Sequence, residues 1–213
     1  MVTNLRLNLG CGLQAPDGWV NVDRSPSLTL DRMPAVKKAL RSVNVLRDEH
    51  MVSWPRNIRR HDVTKPLPYA TDSVSAIYSS HMLEHLYHDQ ALALLRECQR
   101  VLRPGCILRL ALPDAEEFAR KLVSASQAEA EAGLAFTTAL AMAPLKAPNR
   151  RQRLVSRFAS APHRWQPTTG LVLSMLREAG FVKAERRDYL LGDLPGLREV
   201  ENRAESLFVE AEA

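Results

Sequence analysis

Two neighbouring stretches decide the fold: Leu5-Arg6-Leu7-Asn8-Leu9-Gly10-Cys11-Gly12 and Val20-Asn21-Val22-Asp23. The alternating leucines predict a short strand that ends in a Gly-x-Gly turn. Because glycine carries no Cβ, such a turn lets the backbone approach a ligand closely. The second apolar run ends in Asp23, and a carboxylate at the end of a second strand is placed to accept hydrogen bonds from ribose hydroxyls. Together the stretches predict a nucleotide-type cofactor across the carboxyl ends of parallel strands.

The spacing of these residues disfavours a dinucleotide. A dinucleotide fingerprint needs a third glycine where the chain has Ala15. It also needs an acidic residue about 20 residues after the turn, whereas Asp23 comes much sooner. A pyrophosphate site is therefore not expected at this turn.

The connection between the two predicted strands is short. Parallel neighbours normally need a crossover of about a dozen residues or more, usually a helix. Residues 13–19 include Pro16, Asp17 and Gly18, which favour a turn. We therefore expect the first crossover helix to be lost or shortened, so that another part of the chain must cover the cofactor.

Composition narrows the class of protein. A chain of 213 residues suits a single α/β domain, which we place at 1–213. Neither a signal peptide nor a long apolar run occurs, so no membrane partner is expected. The three cysteines have no metal or disulfide spacing, which favours a reduced, cytoplasmic protein.

Basic residues cluster at 56–60 and 150–153, within a net charge of +5. Such clusters could meet phosphates. No aromatic residues are interleaved to stack on bases, so nucleic acid is not the expected partner.

The rest of the chain alternates strands with helices. Strands are predicted at 58–63, 74–78 and 107–112, and helices at 34–46 and from Asp89 to the Pro104-Gly105 stop. This alternation predicts a parallel sheet covered on both faces.

Polar residues follow two of these strands. Asp62 ends the third strand, where it could accept from the amine of a base or, alternatively, cap a turn. Ser80 and His81 follow the fourth strand, at the edge where open α/β sheets bind ligands.

His81, Glu84 and His85 together match the inverted zinc-protease motif. The long helical metal-binding domain that surrounds that motif is missing from the pattern, so we predict no metal. The alternative use of Glu84 is to orient His85 or to cap the following helix.

Residues 115–162 fit no strand of such a sheet. Phe118, Leu122 and 134–140 predict two Ala-rich helices, followed by a basic loop. An insertion after the fifth strand lies above the cofactor cleft, so we interpret it as a substrate lid. The alternative is a helical interface of a homodimer.

Taken in order, the motifs resemble those of class I S-adenosylmethionine-dependent methyltransferases, in the type 11-like group with a short first crossover. The residues that carry the resemblance are Leu7–Gly12, Asn21–Asp23, His61–Val63, Leu83–Leu86 and Arg100–Gly105, with further matches at 163–165, 176–181 and 206–211. The resemblance implies a Rossmann-like, doubly wound α/β fold. Its sheet would be seven-stranded and mostly parallel, with an antiparallel last strand.

The resemblance also implies roles for individual residues. Asn8 and Leu9 would be among the cofactor-binding residues, and Gly10 and Gly12 would pass under the methionine part. Asp23 would hold the ribose, Asp62 and Val63 would meet the adenine, and Ser80 and His81 would face the sulfonium. The sequence departs from the family pattern at Cys106 and at Gln166-Pro167, and the second departure affects the substrate wall.

Methyl transfer from a sulfonium requires mainly that the nucleophile is aligned with the methyl group. It also requires a base if the acceptor must lose a proton. The candidate catalytic bases are His81, His163 and Asp114, with His81 preferred because it follows the fourth strand. We predict transfer to oxygen or nitrogen of a small-molecule acceptor, such as a sugar or secondary metabolite. The alternatives are an RNA methyltransferase, an enzyme that uses the cofactor without methylating, and a non-catalytic cofactor-binding scaffold.

Overall fold

The computed structural model describes residues 4–42, 46, 51–124, 130–140 and 162–213. The strands are β1 (Arg6–Leu9), β2 (Val20–Asp23), β3 (Ile58–Arg60), β4 (Val74–Ser80), β5 (Leu102–Pro113), β6 (Lys183–Arg187) and β7 (Ser206–Glu212). The helices are α1 (Pro26–Asp31), α2 (Pro34–Ser42), α3 (His88–Val101), α4 (Ala115–Ser124), α5 (Ala130–Leu140), α6 (Thr169–Glu178) and α7 (Leu197–Val200). A 3₁₀ turn, Leu83–His85, lies between β4 and α3.

The strands form a seven-stranded sheet in the order β3-β2-β1-β4-β5-β7-β6. Neighbours from β3 to β5 are parallel, whereas β7 is antiparallel to both β5 and β6. The predicted mostly parallel sheet with an antiparallel last strand is therefore confirmed. Leu9 pairs with Val22 on one side and with Ser79 on the other, so the carboxyl ends of β1, β2 and β4 meet at one edge.

Apolar side chains cover both faces of the sheet, as parallel strands require. On one face Ile77 packs in a cluster with Leu95 of α3 and Leu176 of α6. On the other face Tyr78 packs with Leu197 of α7. Successive residues of β4 thus serve opposite cores, and the strand is buried throughout except at its last residue.

The first crossover contains turns and no helix over residues 13–19, which confirms the predicted shortening. Side-chain amides hold it instead. Asn21 Nδ2 donates to the Pro16 carbonyl at 2.9 Å, and Asn8 Nδ2 donates to Asn21 Oδ1 at 3.0 Å. The two strand asparagines therefore replace the packing that a helix would provide.

The segment between β6 and β7 lies where the first helix is missing. Trp19 Nε1 donates to Glu199 Oε2 at 2.7 Å, and Asn202 Nδ2 donates to Gln14 Oε1 at 3.1 Å. We expected another part of the chain to cover the side where the first crossover helix is missing. The segment between β6 and β7 does so, and the sequence patterns did not single it out.

Arg109 of β5 ties that segment to the sheet. Its side chain is fully buried and makes a bidentate ion pair with Glu201, at 2.8 and 2.9 Å. The same guanidinium donates to the carbonyls of Asp188 at 2.8 Å and Leu191 at 3.0 Å. The buried Arg109 side chain in the middle of β5 thus holds the segment between β6 and β7 against the sheet.

β5 begins earlier than the sequence predicted. The pattern placed a stop at Pro104-Gly105, but the strand starts at Leu102 and runs through both residues. Gly105 has φ +75°, and the pairing with β4 shifts register between Val74 and Ala76. A bulge in β5 accommodates this irregularity, since glycine takes this φ without strain.

Within the insertion, α4 and α5 correspond to the two predicted Ala-rich helices. The predicted basic loop at 150–153 and the end of the predicted helix at 43–45 lie outside the described residues. Among the described helices, none combines the length and the apolar character that a membrane crossing needs.

Candidate active site

A cleft of about 870 Å³ opens at the carboxyl ends of β1, β2 and β4. This volume is typical of small-molecule and cofactor sites. The cleft brings together most of the predicted cofactor-binding residues: Asn8, Gly10, Gly12, Asp23, Asp62, Val63, Ser80 and His81. Leu9 is the exception, because its side chain is buried in the core below the turn.

The glycine turn is bound to the neighbouring strand through its backbone. The N–H groups of Gly10 and Cys11 donate to the Val22 carbonyl at 2.8 and 3.1 Å. Gly10 and Gly12 have φ of +68° and +55°, which favours glycine. A Cβ on Gly10 would collide with the Met82 side chain, whereas at Gly12 no heavy atom lies within 4 Å. The backbone at Gly12 therefore faces open space in the cleft.

Asp23 is held at the end of β2 by two backbone donors. Its Oδ2 accepts from the Gly12 N–H at 2.9 Å, and its Oδ1 accepts from the Ser25 N–H at 2.6 Å. Each carboxylate oxygen has a second acceptor site. A fixed carboxylate with free lone pairs on the cleft wall fits the two hydroxyls of a ribose.

Asp62 makes the turn that ends β3. Its Oδ1 accepts from the N–H and the hydroxyl of Thr64, at 3.1 and 2.8 Å, and its Oδ2 pairs with Arg24. This is the turn-capping use of aspartate. Both Asp62 and Val63 line the cleft, and their contact with an adenine stays a prediction.

His81 follows β4 in a left-handed conformation, with φ +47°. Its N–H donates to the Ala111 carbonyl at 2.9 Å, which fixes this backbone against β5. Its Nε2 lies 2.8 Å from Ser206 Oγ. Burial, together with the nearby charge of Arg203, lowers the pKa of His81 to about 4. The imidazole is therefore neutral at neutral pH.

A cluster of three histidine side chains surrounds the buried Glu84, and we name it the Glu84 cluster. Glu84 Oε1 lies 3.7 Å from His81 Nδ1, 4.0 Å from His85 Nε2 and 3.8 Å from His163 Nε2. Burial raises the pKa of Glu84 to about 7, and burial also lowers the pKa of His163. Both shifts favour uncharged side chains.

The predicted bases are not all in one place. His163 belongs to the Glu84 cluster, beside His81. Asp114 does not line the cleft, and its oxygens have structural partners: Oδ1 accepts from the Glu117 N–H at 3.0 Å, and Oδ2 pairs with Arg186 at 2.9 Å. Asp114 thus caps α4, while the catalytic roles of all three residues stay predictions.

Several lining residues were not singled out from the sequence: Trp54, Arg164, Asn202 and Arg203. Arg164 lies within the His-Arg-Trp stretch, so the resemblance pointed to its neighbourhood without assigning it a role. Its guanidinium lies 4.7 Å from the centroid of the Tyr87 ring. Arg203 precedes β7, and no local pattern marks it.

A family profile described as a methyltransferase domain matches residues 7–110, from β1 into β5. The match includes the glycine turn, Asp23, Asp62, His81 and Glu84. No curated protein shows significant sequence similarity to the chain.

Solved structures of methyltransferases share the fold. An S-adenosylmethionine-dependent methyltransferase from Mesorhizobium loti is 20% identical, with 98% of this chain and 90% of that chain covered and a TM-score of 0.50. A SAM-dependent methyltransferase from Archaeoglobus fulgidus is 12% identical, with 100% and 87% covered and a TM-score of 0.53. A structure of PigF with SAH is 15% identical and has a TM-score of 0.51, with 99% of this chain but 50% of that chain covered.

The profile match and the fold agree with the construction of the cleft. Residues 7–110 are similar to a methyltransferase domain, the fold is that of solved S-adenosylmethionine-dependent methyltransferases, and the two findings together support S-adenosylmethionine as the cofactor.

Proposed function

We propose that the enzyme transfers a methyl group to an oxygen or nitrogen atom of a small molecule, such as a sugar or secondary metabolite. One observation carries the proposal: His81 lines the same cleft as Gly12 and Asp23. A neutral imidazole is thus available where an acceptor would meet the cofactor. The volume of about 870 Å³ supports a cofactor and a small acceptor together.

The proposed cofactor contacts follow from the groups on the cleft wall. Gly10 and Gly12 pass their backbone under the methionine part. Asp23 accepts from the ribose hydroxyls through the lone pairs that Gly12 and Ser25 leave free. Asp62 and Val63 border the adenine, and Ser80 lies with His81 near the sulfonium.

When bound, S-adenosylmethionine supplies an activated methyl group, whose bond to sulfur breaks with the electron pair going to sulfur as the bond to the acceptor atom forms. His81 takes the acceptor's proton at Nε2, which lies 2.8 Å from Ser206 Oγ. The proposal assigns the tautomer with its proton on Nδ1, which lies 3.7 Å from Glu84 Oε1, beyond hydrogen-bond distance. That tautomer leaves the Nε2 lone pair to accept a proton.

His163 and Asp114 are the alternative bases. His163 is in the Glu84 cluster, where it faces the same carboxylate oxygen as His81 does. Asp114 is disfavoured, because both its oxygens are occupied by Glu117 and Arg186. If His81 serves, neither alternative needs to approach the acceptor.

The proposal also assigns a role to the insertion, a location in the cell and an alternative acceptor. We place a substrate lid at 115–162, with a homodimer interface through α4 and α5 as the alternative. Cys11, Cys98 and Cys106 are free thiols, which supports a reducing, cytoplasmic location. RNA is the runner-up acceptor, since Arg56, Arg59 and Arg60 form an exposed basic cluster.

The acceptor class is tested with methyl-labelled S-adenosylmethionine. The enzyme is incubated with separate pools of sugars, phenols, small amines and RNA, and labelled products are counted after separation by size. We expect label in a small-molecule fraction. Label that enters RNA alone, with binding that weakens steeply as salt rises, would replace the proposal with the RNA alternative.

A further inference from the structure

The Glu84 cluster contains more polar groups than its contacts satisfy. The Glu84 side chain is 0% exposed, and neither of its oxygens has a hydrogen-bond partner among the described residues. The three imidazole nitrogens that face Oε1 lie at 3.7 to 4.0 Å, which is too long for hydrogen bonds. A buried carboxylate without partners is costly. A cation bound between these atoms would satisfy the Glu84 oxygen and the facing imidazole nitrogens together.

The donors are those that bind a transition metal. One carboxylate oxygen and two imidazole nitrogens, from Glu84, His85 and His163, all lie within 4.8 Å of one another. Zinc accepts such a set at about 2.0–2.2 Å from each donor. Tetrahedral geometry at that length separates neighbouring donors by roughly 3.4 Å. The separations of 4.0 and 3.8 Å from Glu84 would contract by about half an ångström.

Backbone and side-chain contacts hold the two ligand-bearing segments together. The Arg164 N–H donates to the Glu84 carbonyl at 2.8 Å, and Trp165 Nε1 donates to the Leu86 carbonyl at 3.2 Å. The rings of His85 and His163 meet edge to face, with centroids 4.9 Å apart. The 3₁₀ turn and the segment after residue 162 are therefore aligned without any ion.

We propose that Glu84, His85 and His163 bind one divalent transition-metal ion of the zinc class. The proposal departs from our sequence prediction of no metal. The pattern paired Glu84 with His81 and His85 and could not include His163, which comes from a distant segment.

Three protein ligands leave a coordination position open, as in catalytic zinc sites. Of the three proposed ligands His85 lines the cleft beside His81, and the proposal places the open position on this side, toward the region proposed for the acceptor. A metal there would polarise an acceptor oxygen and make its proton easier for His81 to remove. This role rests on the proposed function, whereas metal binding itself does not.

The test uses the full chain, purified without a metal-affinity tag and stripped with a chelator. Zinc chloride is titrated by calorimetry, and metal content is measured by mass spectrometry after desalting. We expect one ion per chain. Glu84→Gln, His85→Ala and His163→Ala should each weaken binding by more than about 100-fold, since even partners of the ligands cost 10–100-fold. Binding well below one ion per chain would overturn the proposal.

The matched control is His88→Ala, which removes an exposed histidine outside the Glu84 cluster. It should bind zinc like the wild type, and equal binding by the control and the three cluster variants would overturn the site. If a cluster variant fails to fold, the wild type loaded with cobalt(II) serves instead. A ligand-field spectrum typical of nitrogen and oxygen donors in low coordination is expected, and the spectrum of the hydrated ion would overturn the proposal.

The two proposals fail separately. S-adenosylmethionine affinity is measured on stripped and zinc-loaded protein, and the acceptor pools are tested with both. One bound zinc with no small-molecule product would leave the metal site standing and refute the proposed acceptor class. Methyl transfer at the same rate in stripped and loaded protein would refute the metal's role with the acceptor.

Discussion

His81 adopts a backbone conformation that costs a non-glycine residue about 1–2 kcal/mol. Asp72 and Leu190 also have positive φ, but of these three residues His81 alone lines the cleft. Strain of this kind persists where the surrounding structure enforces it, often at functional sites. Here the enforcing contacts are the backbone bond to Ala111 and the side-chain bond to Ser206.

His81→Asn tests the base with little backbone strain, because asparagine tolerates positive φ. We expect turnover to fall by roughly 10²–10⁴-fold, the usual contribution of a general base, while cofactor affinity stays unchanged. Steady-state methyl transfer and calorimetry with S-adenosylmethionine measure the two quantities. His88→Asn is the control, and its turnover should equal that of the wild type.

Wild-type turnover in His81→Asn would move the proton transfer to His163 or to a reaction in which positioning suffices. A parallel loss of affinity and rate would instead give His81 a role in shaping the cofactor pocket.

At the scale of elements, the segment between β6 and β7 depends on Arg109. The guanidinium neutralises Glu201 in a fully buried ion pair and also donates to two partly buried backbone carbonyls. Glu201 in turn accepts from the Leu190 N–H at 2.6 Å. One side chain of β5 therefore organises the loop that carries Val200, Asn202 and Arg203 to the cleft.

Arg109→Met should lower the free energy of unfolding by about 3–5 kcal/mol, because it leaves the Glu201 carboxylate buried without its partner. Urea unfolding followed by circular dichroism measures the change. Arg96→Met is the matched control, since Arg96 pairs with Glu178 on the surface, where about 1 kcal/mol or less is expected. Equal losses in the two variants would contradict the importance assigned to the buried pair.

Over the whole molecule, the sequence predicted what depends on neighbours along the chain. Alternating apolar residues located β1 and β2, and Pro16 to Gly18 predicted the missing helix. Asp62 makes the turn that its residue type favours. The antiparallel direction of the last strand came from the resemblance alone, and the position of β6 at the sheet edge was not predicted, because no local pattern states either.

The remaining features depend on contacts between distant segments. Periodicity cannot place a buried Arg109 in mid-strand, because its partner Glu201 comes from the far end of the chain. Likewise His163 reaches Glu84 only through the packing of the segment after 162 on the 3₁₀ turn. The contacts between the β6–β7 segment and the first crossover likewise join parts of the chain that are far apart in the sequence. Sequence reasoning therefore predicted the cleft residues near the glycine turn better than the contacts of the Glu84 cluster.

Calorimetric titration of S-adenosylmethionine into the wild type and Asp23→Ala tests cofactor binding at this cleft most directly. Loss of a charged acceptor costs about 1.5–3 kcal/mol, so affinity should fall by about 10- to 100-fold. Circular dichroism and thermal unfolding check that the variant folds. Asp17→Ala, which removes an exposed carboxylate of the same crossover, should bind like the wild type. We predict one S-adenosylmethionine site per chain, with an affinity that is weakened in Asp23→Ala alone. Absent binding in the wild type, or wild-type affinity in the folded Asp23→Ala variant, would contradict the account.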